Sequence, residues 1–281
     1  MEKLINLVEN FYVKNEAILP SNKFHYDFKE NCKILYEVIR VKDSTPIFFN
    51  QHLERLEKSV NLLELASPDL EKIRGMVVEL IKANPVTEKN IRISLVYNST
   101  LSTPDLLIYF IPSSYPSAIQ KEFGVTVRVV QALRINPNAK VENETLRSEA
   151  DRIIKETGCY EVLLVNNDGF VTEGSRSNVF FLKNESIITP PINMVLGGIT
   201  RQVVIELAQK VNIPIIESPV KINEINKFDG ALITGTSPGL LPISKIDDIC
   251  FDVKSVLLNK LTAAYEAVIM DNILKFKTNQ I

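Results

Sequence analysis

Residues 169 to 182 read GFVTEGSRSNVFFL, and the interpretation of the whole chain turns on this run. Its first half continues a strand pattern: Glu161 to Val165, a turn over Asn166 to Gly169, then Phe170 to Thr172. Glu173 follows at the strand end. A small polar loop, Gly174-Ser175-Arg176-Ser177-Asn178, comes next, and an apolar strand, Val179 to Leu182, closes the run. A lone glutamate at a strand end usually faces water. One framed by two strands and followed by a glycine suits recognition of a single, fixed cationic atom.

Working outward, the pattern divides the chain in two. Leu35 to Val41 and Pro46 to Phe49 read as strands. His52 to Leu65 is a helix with Leu53, Leu56, Val60 and Leu63 on one stripe, and Asp69 to Ala83 repeats that pattern. Ile91 to Tyr97 and Leu106 to Ile111 are further strands. Pro112 to Ser117, with two prolines and three serines, resists helix and strand and reads as a linker. Beyond it come a strand, Val125 to Gln131, a polar loop, Arg134 to Asn143, and a helical stripe of Leu146, Ala150, Ile153 and Ile154 stopped by Gly158. A helix over Ile199 to Val211, strands at Pro214 to Glu217 and Ala231 to Thr234, and a closing helix over Asp252 to Ile269 complete the pattern. The expected organisation is a small α/β domain over residues 1–116 and a larger domain over residues 117–281.

The 281 residues carry a net charge of −2, with 32 basic and 34 acidic residues interspersed, so no basic stripe points to nucleic acid. The three cysteines, at 32, 159 and 250, are far apart, which argues against a disulfide framework. Only two histidines are available, so neither a histidine-rich metal site nor a Ser-His-Asp arrangement is expected. No apolar run approaches the roughly 20 residues of a membrane span, and the first residues do not form a signal peptide. A cytoplasmic enzyme or binding protein is the expectation.

Several further segments carry chemistry. Gly197-Gly198-Ile199-Thr200-Arg201 opens a helix, where free N–H groups and the positive dipole end favour phosphate. A simple capped helix would look the same. Thr234-Gly235-Thr236-Ser237-Pro238-Gly239 follows an apolar strand and suits an anion-binding turn, or a purely structural one. Arg55 borders the apolar stripe of its helix, and its guanidinium fork matches phosphate oxygens. Period two puts Tyr36, Val38 and Arg40 on one strand face and Glu37, Ile39 and Val41 on the other. Lys140 sits in a polar loop, where lysines are ordinarily solvated.

Taken together, these segments resemble the fold type IV pyridoxal-phosphate enzymes: branched-chain aminotransferases, D-amino-acid aminotransferases and aminodeoxychorismate lyases. The similarity spans roughly residues 34 to 243. It implies an α/β (α+β) fold of two domains, the larger with a barrel-like β core, and pyridoxal 5′-phosphate as cofactor. Glu173 resembles the acid on the pyridine nitrogen. Lys140, with Asn143 three residues on, resembles the Schiff-base lysine. Arg55, Ile199, Thr200 and Thr236 match phosphate contacts, and Asn178 and Ser237 complete the implied cofactor shell. The implied substrate side comprises Tyr36, Arg40, Tyr97 and Arg176, with Thr236 and Ser237 offered to a carboxylate; Pro238 has no N–H to give.

The chain also departs from the family. Phe28 to Ile34 replaces a glycine-rich segment before the Tyr36 strand. Tyr97-Asn98 stands where D-specific enzymes carry an arginine. Glu144 stands where branched-chain enzymes have a tyrosine near the ring hydroxyl. Arg176 replaces a small residue and either reaches the pocket or pairs with Glu142 or Glu144. The resemblance implies a homodimeric transaminase acting on an amino acid, L and branched-chain-like, and a 2-oxo acid. An aminodeoxychorismate lyase releasing pyruvate uses the same shell. A non-catalytic binding protein is the third reading, because Glu142 and Glu144 beside Lys140 would raise its pKa.

Overall fold

The computed structural model describes residues 6–29, 32–98, 103–132, 140–141 and 144–278. Most of the loop Arg134 to Asn143, including Glu142 and Asn143, lies outside the described residues; Lys140 and Val141 lie within them. The chain forms two compact units. The first holds residues 1–114, 139–142 and 269–281, and the second holds residues 115–138 and 143–268.

The first unit is built on β1 (Phe11–Lys14), β2 (Ala17–Pro20), β3 (Lys33–Lys42), β4 (Thr45–Pro46), α1 (Phe49–Leu62), α2 (Leu70–Ala83), β5 (Glu88–Tyr97) and β6 (Asp105–Ile111). Its sheet runs β2-β1-β6-β5-β3-β4. Alternation along β3 sends Leu35, Ile39 and Val41 into a core with Ile91, Ile93 and Leu95 of β5. Leu53, Leu56 and Val60 of α1 and Ile73, Val77 and Leu80 of α2 fill the rest. Each such side chain contributes roughly 1.5–3 kcal/mol through burial. Val141 bridges to Leu35, which fixes the segment carrying Lys140 to β3.

Two expectations need correction here. Pro46 to Phe49 is not a strand: pairing stops at Pro46, and Phe48 adopts a left-handed conformation, φ 54°. The helix therefore begins at Phe49, three residues ahead of His52, and ends at Leu62. The hairpin β1–β2 has no counterpart in the sequence pattern; Asn15 turns it with φ 55°, a conformation that asparagine tolerates better than most residues.

The second unit comprises α3 (Ala118–Phe123), β7 (Val125–Gln131), α4 (Glu144–Thr157), β8 (Glu161–Val165), β9 (Phe170–Gly174), β10 (Asn178–Lys183), β11 (Ser186–Thr189), α5 (Ile199–Lys210), β12 (Ile215–Glu217), β13 (Val220–Lys221), β14 (Gly230–Gly235), β15 (Gly239–Ile246), β16 (Ile249–Cys250) and the part of α6 (Val256–Thr278) up to residue 268; the rest of that helix belongs to the first unit. α4 is the crossover between the parallel pair β7 and β8, and α5 lies between the parallel pair β11 and β12. α4 ends at Gly158, φ +69°, whose N–H donates to Ile154 O at 2.9 Å. The sheet runs β12-β11-β10-β14-β15-β7-β8-β9-β13, with β16 on β15. It wraps one shared core of Val127, Leu163, Val171, Phe181, Ile233 and Leu241, among others. No pairing among the described residues joins β12 to β13, so the barrel-like core is an open one.

α6 starts later and runs further than Asp252 to Ile269. Asp252 instead accepts the N–H of Lys254, and Ser255 Oγ accepts that of Leu258 at 3.4 Å. Pro112 to Ser117 forms neither helix nor strand, and α3 begins directly after it, with Ser117 and Gln120 forming a capping box legible as S-x-x-Q.

Candidate active site

Glu173 owes its position to a bulge. Between Leu163–Gly174 and Val165–Val171, β9 carries one more residue than β8, so the pairing shifts register. A bulge of this kind turns side chains away from the regular alternation. Thr172 Oγ1 donates to Leu164 O at 3.1 Å and pins the irregular stretch. Glu173 is 2% exposed, and its Oε2 accepts the N–H of Leu196 at 3.2 Å.

The loop after Glu173 is organised by a second acid, Glu161, which sequence reading passes over as the first residue of a strand. Its Oε1 accepts Ser175 Oγ at 2.6 Å and Val162 N at 2.8 Å; its Oε2 accepts Ser177 Oγ at 2.9 Å and Arg176 N at 3.2 Å. Gly174 N–H donates to Ser177 O at 2.7 Å, closing the turn over the carboxylate.

Asn178 joins this loop to the start of α5. Its Nδ2 donates to Leu196 O at 2.9 Å, and that same carbonyl accepts Gly198 N–H at 2.8 Å. A Cβ on Gly198 would fall 2.0 Å from Asn178 Oδ1, so glycine is required for this approach. Leu196 thus contacts Glu173 through its N–H and Asn178 through its carbonyl. Ile199 and Thr200, both buried, form the first turn of α5. That helix has no side-chain cap at Gly198 and no acid in its first turn. Arg201, also of this first turn, is taken up inside the unit by Pro190 O at 3.0 Å and Glu217 Oε2 at 2.7 Å.

Pairing of β10 with β14 sets Asn178 opposite Thr234, so the turn Gly235-Thr236-Ser237 follows directly beside the Glu173 loop. A Cβ on Gly235 would lie 3.4 Å from Arg176 O. Thr234 is 0% exposed, and its hydroxyl has no hydrogen-bond partner among the described residues. Arg176 pairs with Asp151 of α4, and both side chains are about half exposed.

The first unit places Lys140, Tyr36 and Arg55 near one another. Tyr36 N–H donates to Lys140 O at 3.2 Å, Lys140 N–H donates to Ser59 Oγ at 3.4 Å, and Ser59 Oγ donates to Arg55 O at 2.9 Å. Lys140 Nζ lies 5.0 Å from the centre of the Tyr36 ring, and the Arg92 guanidinium lies 4.3 Å from it. Arg92 is not among the residues the sequence singles out; the two-residue period of β5 puts it on the Tyr36 face.

Glu37, on the opposite face of β3, is fully buried. Arg55 Nε donates to its Oε1 at 2.7 Å, a terminal nitrogen of Arg55 donates to its Oε2 at 2.5 Å, and His52 Nδ1 lies 2.7 Å from Oε2. Burial pushes the Glu37 carboxyl up, but the Arg55 charge and the bonds from His52 and Arg55 outweigh it and hold the group at about 2. Burial pushes the His52 imidazole below its ordinary value, against the opposing pull of Glu37. His52 is therefore a neutral ring donating from Nδ1.

Two expected pocket residues are engaged elsewhere. Arg40 is on the Tyr36 face but pairs with Glu88. Tyr97 packs against the helix-covered core, on the opposite face of the sheet from Tyr36, and its hydroxyl donates to Ala66 O at 2.9 Å.

The second unit fits pyridoxal 5′-phosphate on its own observations. A buried carboxylate is present for the ring nitrogen. An uncapped helix start without a competing acid, and an unpartnered buried hydroxyl on the adjoining strand, suit the phosphate. Among the described residues no acid, histidine or cysteine cluster could hold a metal, and no helix is long and apolar enough to cross a membrane.

The branched-chain aminotransferase of the thermophilic archaeon Thermoproteus uzoniensis, solved with norvaline, superposes with a TM-score of 0.84 at 23% identity, over 94% of this chain and 96% of that one. A putative 4-amino-4-deoxychorismate lyase from Legionella pneumophila superposes with a TM-score of 0.78 at 23% identity, over 88% and 97%. The fold and this set of groups define a fold type IV pyridoxal-phosphate enzyme. The family model of amino-transferase class IV matches residues 34–246. A probable branched-chain-amino-acid aminotransferase of Thermotoga maritima is 31% identical over 227 residues, covering 77% of this chain and 78% of that protein. The chain belongs to the class IV aminotransferases and is a pyridoxal-phosphate-dependent transaminase.

Proposed function

We propose that this transaminase moves an amino group between an L-amino acid with a branched-chain-like side chain and a 2-oxo acid, and that it works as a homodimer. Support for the substrate comes from the Thermotoga maritima relative and from Tyr97-Asn98 in the place of the arginine expected of D-specific enzymes. The homodimer rests on the family resemblance.

Bound pyridoxal 5′-phosphate supplies an electron sink for the electrons left behind at the substrate Cα. Lys140 Nζ would act as the base that takes the substrate Cα proton and then as the acid that gives a proton back. Glu173 keeps the ring nitrogen protonated through a charge-assisted hydrogen bond. The N–H groups at Ile199 and Thr200, the hydroxyls of Thr200 and Thr236, and Arg55, oriented by Glu37, would hold the phosphate. Asn178 supports this end by fixing Leu196. Thr236 and Ser237 take the substrate carboxylate, and Tyr36 lines the substrate side. Arg40, Tyr97 and Arg176 are given no role; each has a polar partner within its own unit.

The observation that carries the reading is the burial of Glu173 beside Leu196, the residue that leads into the bare start of α5. An amino-donor panel with 2-oxoglutarate as acceptor tests it. L-branched-chain donors should turn over fastest and their D-forms not at all. Pyruvate release from aminodeoxychorismate without an added 2-oxo acid, and no amino transfer to 2-oxoglutarate, would make the enzyme a lyase. A colourless protein indifferent to added pyridoxal phosphate would leave only a binding role.

A further inference from the structure

Glu161 is a buried carboxylate, 5% exposed, and no cation pairs with it among the described residues. A buried charge without a cation needs its lone pairs filled by other donors. Here each oxygen receives two, and three of the four donors belong to the loop between Glu173 and Asn178: the hydroxyls of Ser175 and Ser177 and the N–H of Arg176. The loop is folded tightly over the acid. A Cβ on Gly174 would lie 2.1 Å from Ser177 Oγ and 3.1 Å from Glu161 Cδ.

We propose that Glu161 is a positioning residue for the cofactor site: its carboxylate gathers the Gly174–Asn178 loop and so sets Glu173 at one end and Asn178 at the other. This rests on the functional reading above. The chemistry of the donors supports it over plain core filling. Val162 and Arg176 offer backbone N–H groups, which donate and cannot turn to accept. A glutamine at 161 has the same shape but offers an NH2 in place of one oxygen, so it must face at least one of these N–H groups donor to donor. The loop then shifts while the apolar core around it stays filled.

The test uses the full-length protein and its variants Glu161→Gln, Glu173→Gln and the double variant. The dissociation constant for pyridoxal 5′-phosphate is measured by equilibrium dialysis. The pH dependence of the bound cofactor's visible absorption is recorded, with thermal melting of the apo-protein as the folding control. Glu161→Gln should weaken cofactor binding about tenfold or more and displace the absorption titration. In the double variant the two effects should be clearly less than additive, as expected when Glu161 acts partly through Glu173. Wild-type affinity and titration in Glu161→Gln would overturn the proposal. So would full additivity with Glu173→Gln, or a lowered melting temperature with both cofactor readouts unchanged.

If Glu161→Gln does not fold, Ser177→Ala removes a single Glu161 bond. It should weaken binding roughly threefold, and unchanged binding there would equally overturn the proposal. Absence of cofactor binding by the wild-type protein would overturn the functional reading itself, a failure seen before any substitution is made.

Discussion

Glu37 in the first unit and Glu161 in the second are both buried glutamates, and they are stabilised in opposite ways. Glu37 is met by a cation: the Arg55 fork spans both its oxygens, and a neutral His52 adds one bond. Among the described residues, Glu161 is met by neutral donors alone, most of them from one loop. The first arrangement cancels charge and fixes the direction of a guanidinium. The second shapes backbone. Loss of the first should appear chiefly as stability, and loss of the second chiefly as misplaced neighbours.

The largest expected effect is that of Glu37→Gln. The substitution leaves the Arg55 charge buried without its counter-charge, a loss of about 3–5 kcal/mol, read from urea denaturation at neutral pH. A loss within experimental error would mean that the charge of Arg55 is balanced by some other group. Acid titration sharpens the same point. The Glu37 carboxyl is lowered from its ordinary 4.5 to about 2, so its contribution is present above 4.5 and disappears as pH falls toward 2. His52 is lowered from its ordinary 6.5, so the contribution of its neutral form is present above 6.5 and weakens as pH falls below that. Denaturation midpoints measured against pH should show both declines in the wild type. Glu37→Gln should lack the more acidic one.

Gly198→Ala comes next. The added Cβ would fall 2.0 Å from Asn178 Oδ1, so the amide must leave Leu196 O. A cost of about 1–3 kcal/mol is expected from such overpacking, together with weaker binding of pyridoxal phosphate, measured by dialysis. Unchanged binding would break the link drawn from Asn178 to the helix start. Arg176→Ala should have the smallest effect, within about 1 kcal/mol and fading at high salt, because its pair with Asp151 is half exposed on both sides. A larger, salt-insensitive loss in thermal melting would show that this pair, as well as Glu161, shapes the loop.

What can be read from the sequence follows from the range of the interactions involved. The run around Glu173, the helix start at Gly198 and the hydrophobic stripes of α1, α2 and α4 are local patterns and are legible. The start of α1 is not, because it depends on Phe48 entering a left-handed conformation that its residue type does not signal. The hidden part of the site has the same origin. Glu161 at the head of β8 looks like a solvated strand end; only pairing with β9, and the bulge within it, brings the loop over its carboxylate. The positions of Arg40 and Tyr97 show the converse. The alternation of β3 correctly puts Tyr36 and Arg40 on one face, but the commitment of Arg40 to Glu88, and of the Tyr97 hydroxyl to Ala66 O, is tertiary information.

The most direct measurement is reductive trapping. The protein is loaded with pyridoxal 5′-phosphate, treated with borohydride, digested and mapped by mass spectrometry. The expected result is a single modified lysine, Lys140, with no trapping in Lys140→Ala. Modification of a different lysine, or none in a protein that binds the cofactor, would contradict the assignment of the reactive amine to Lys140.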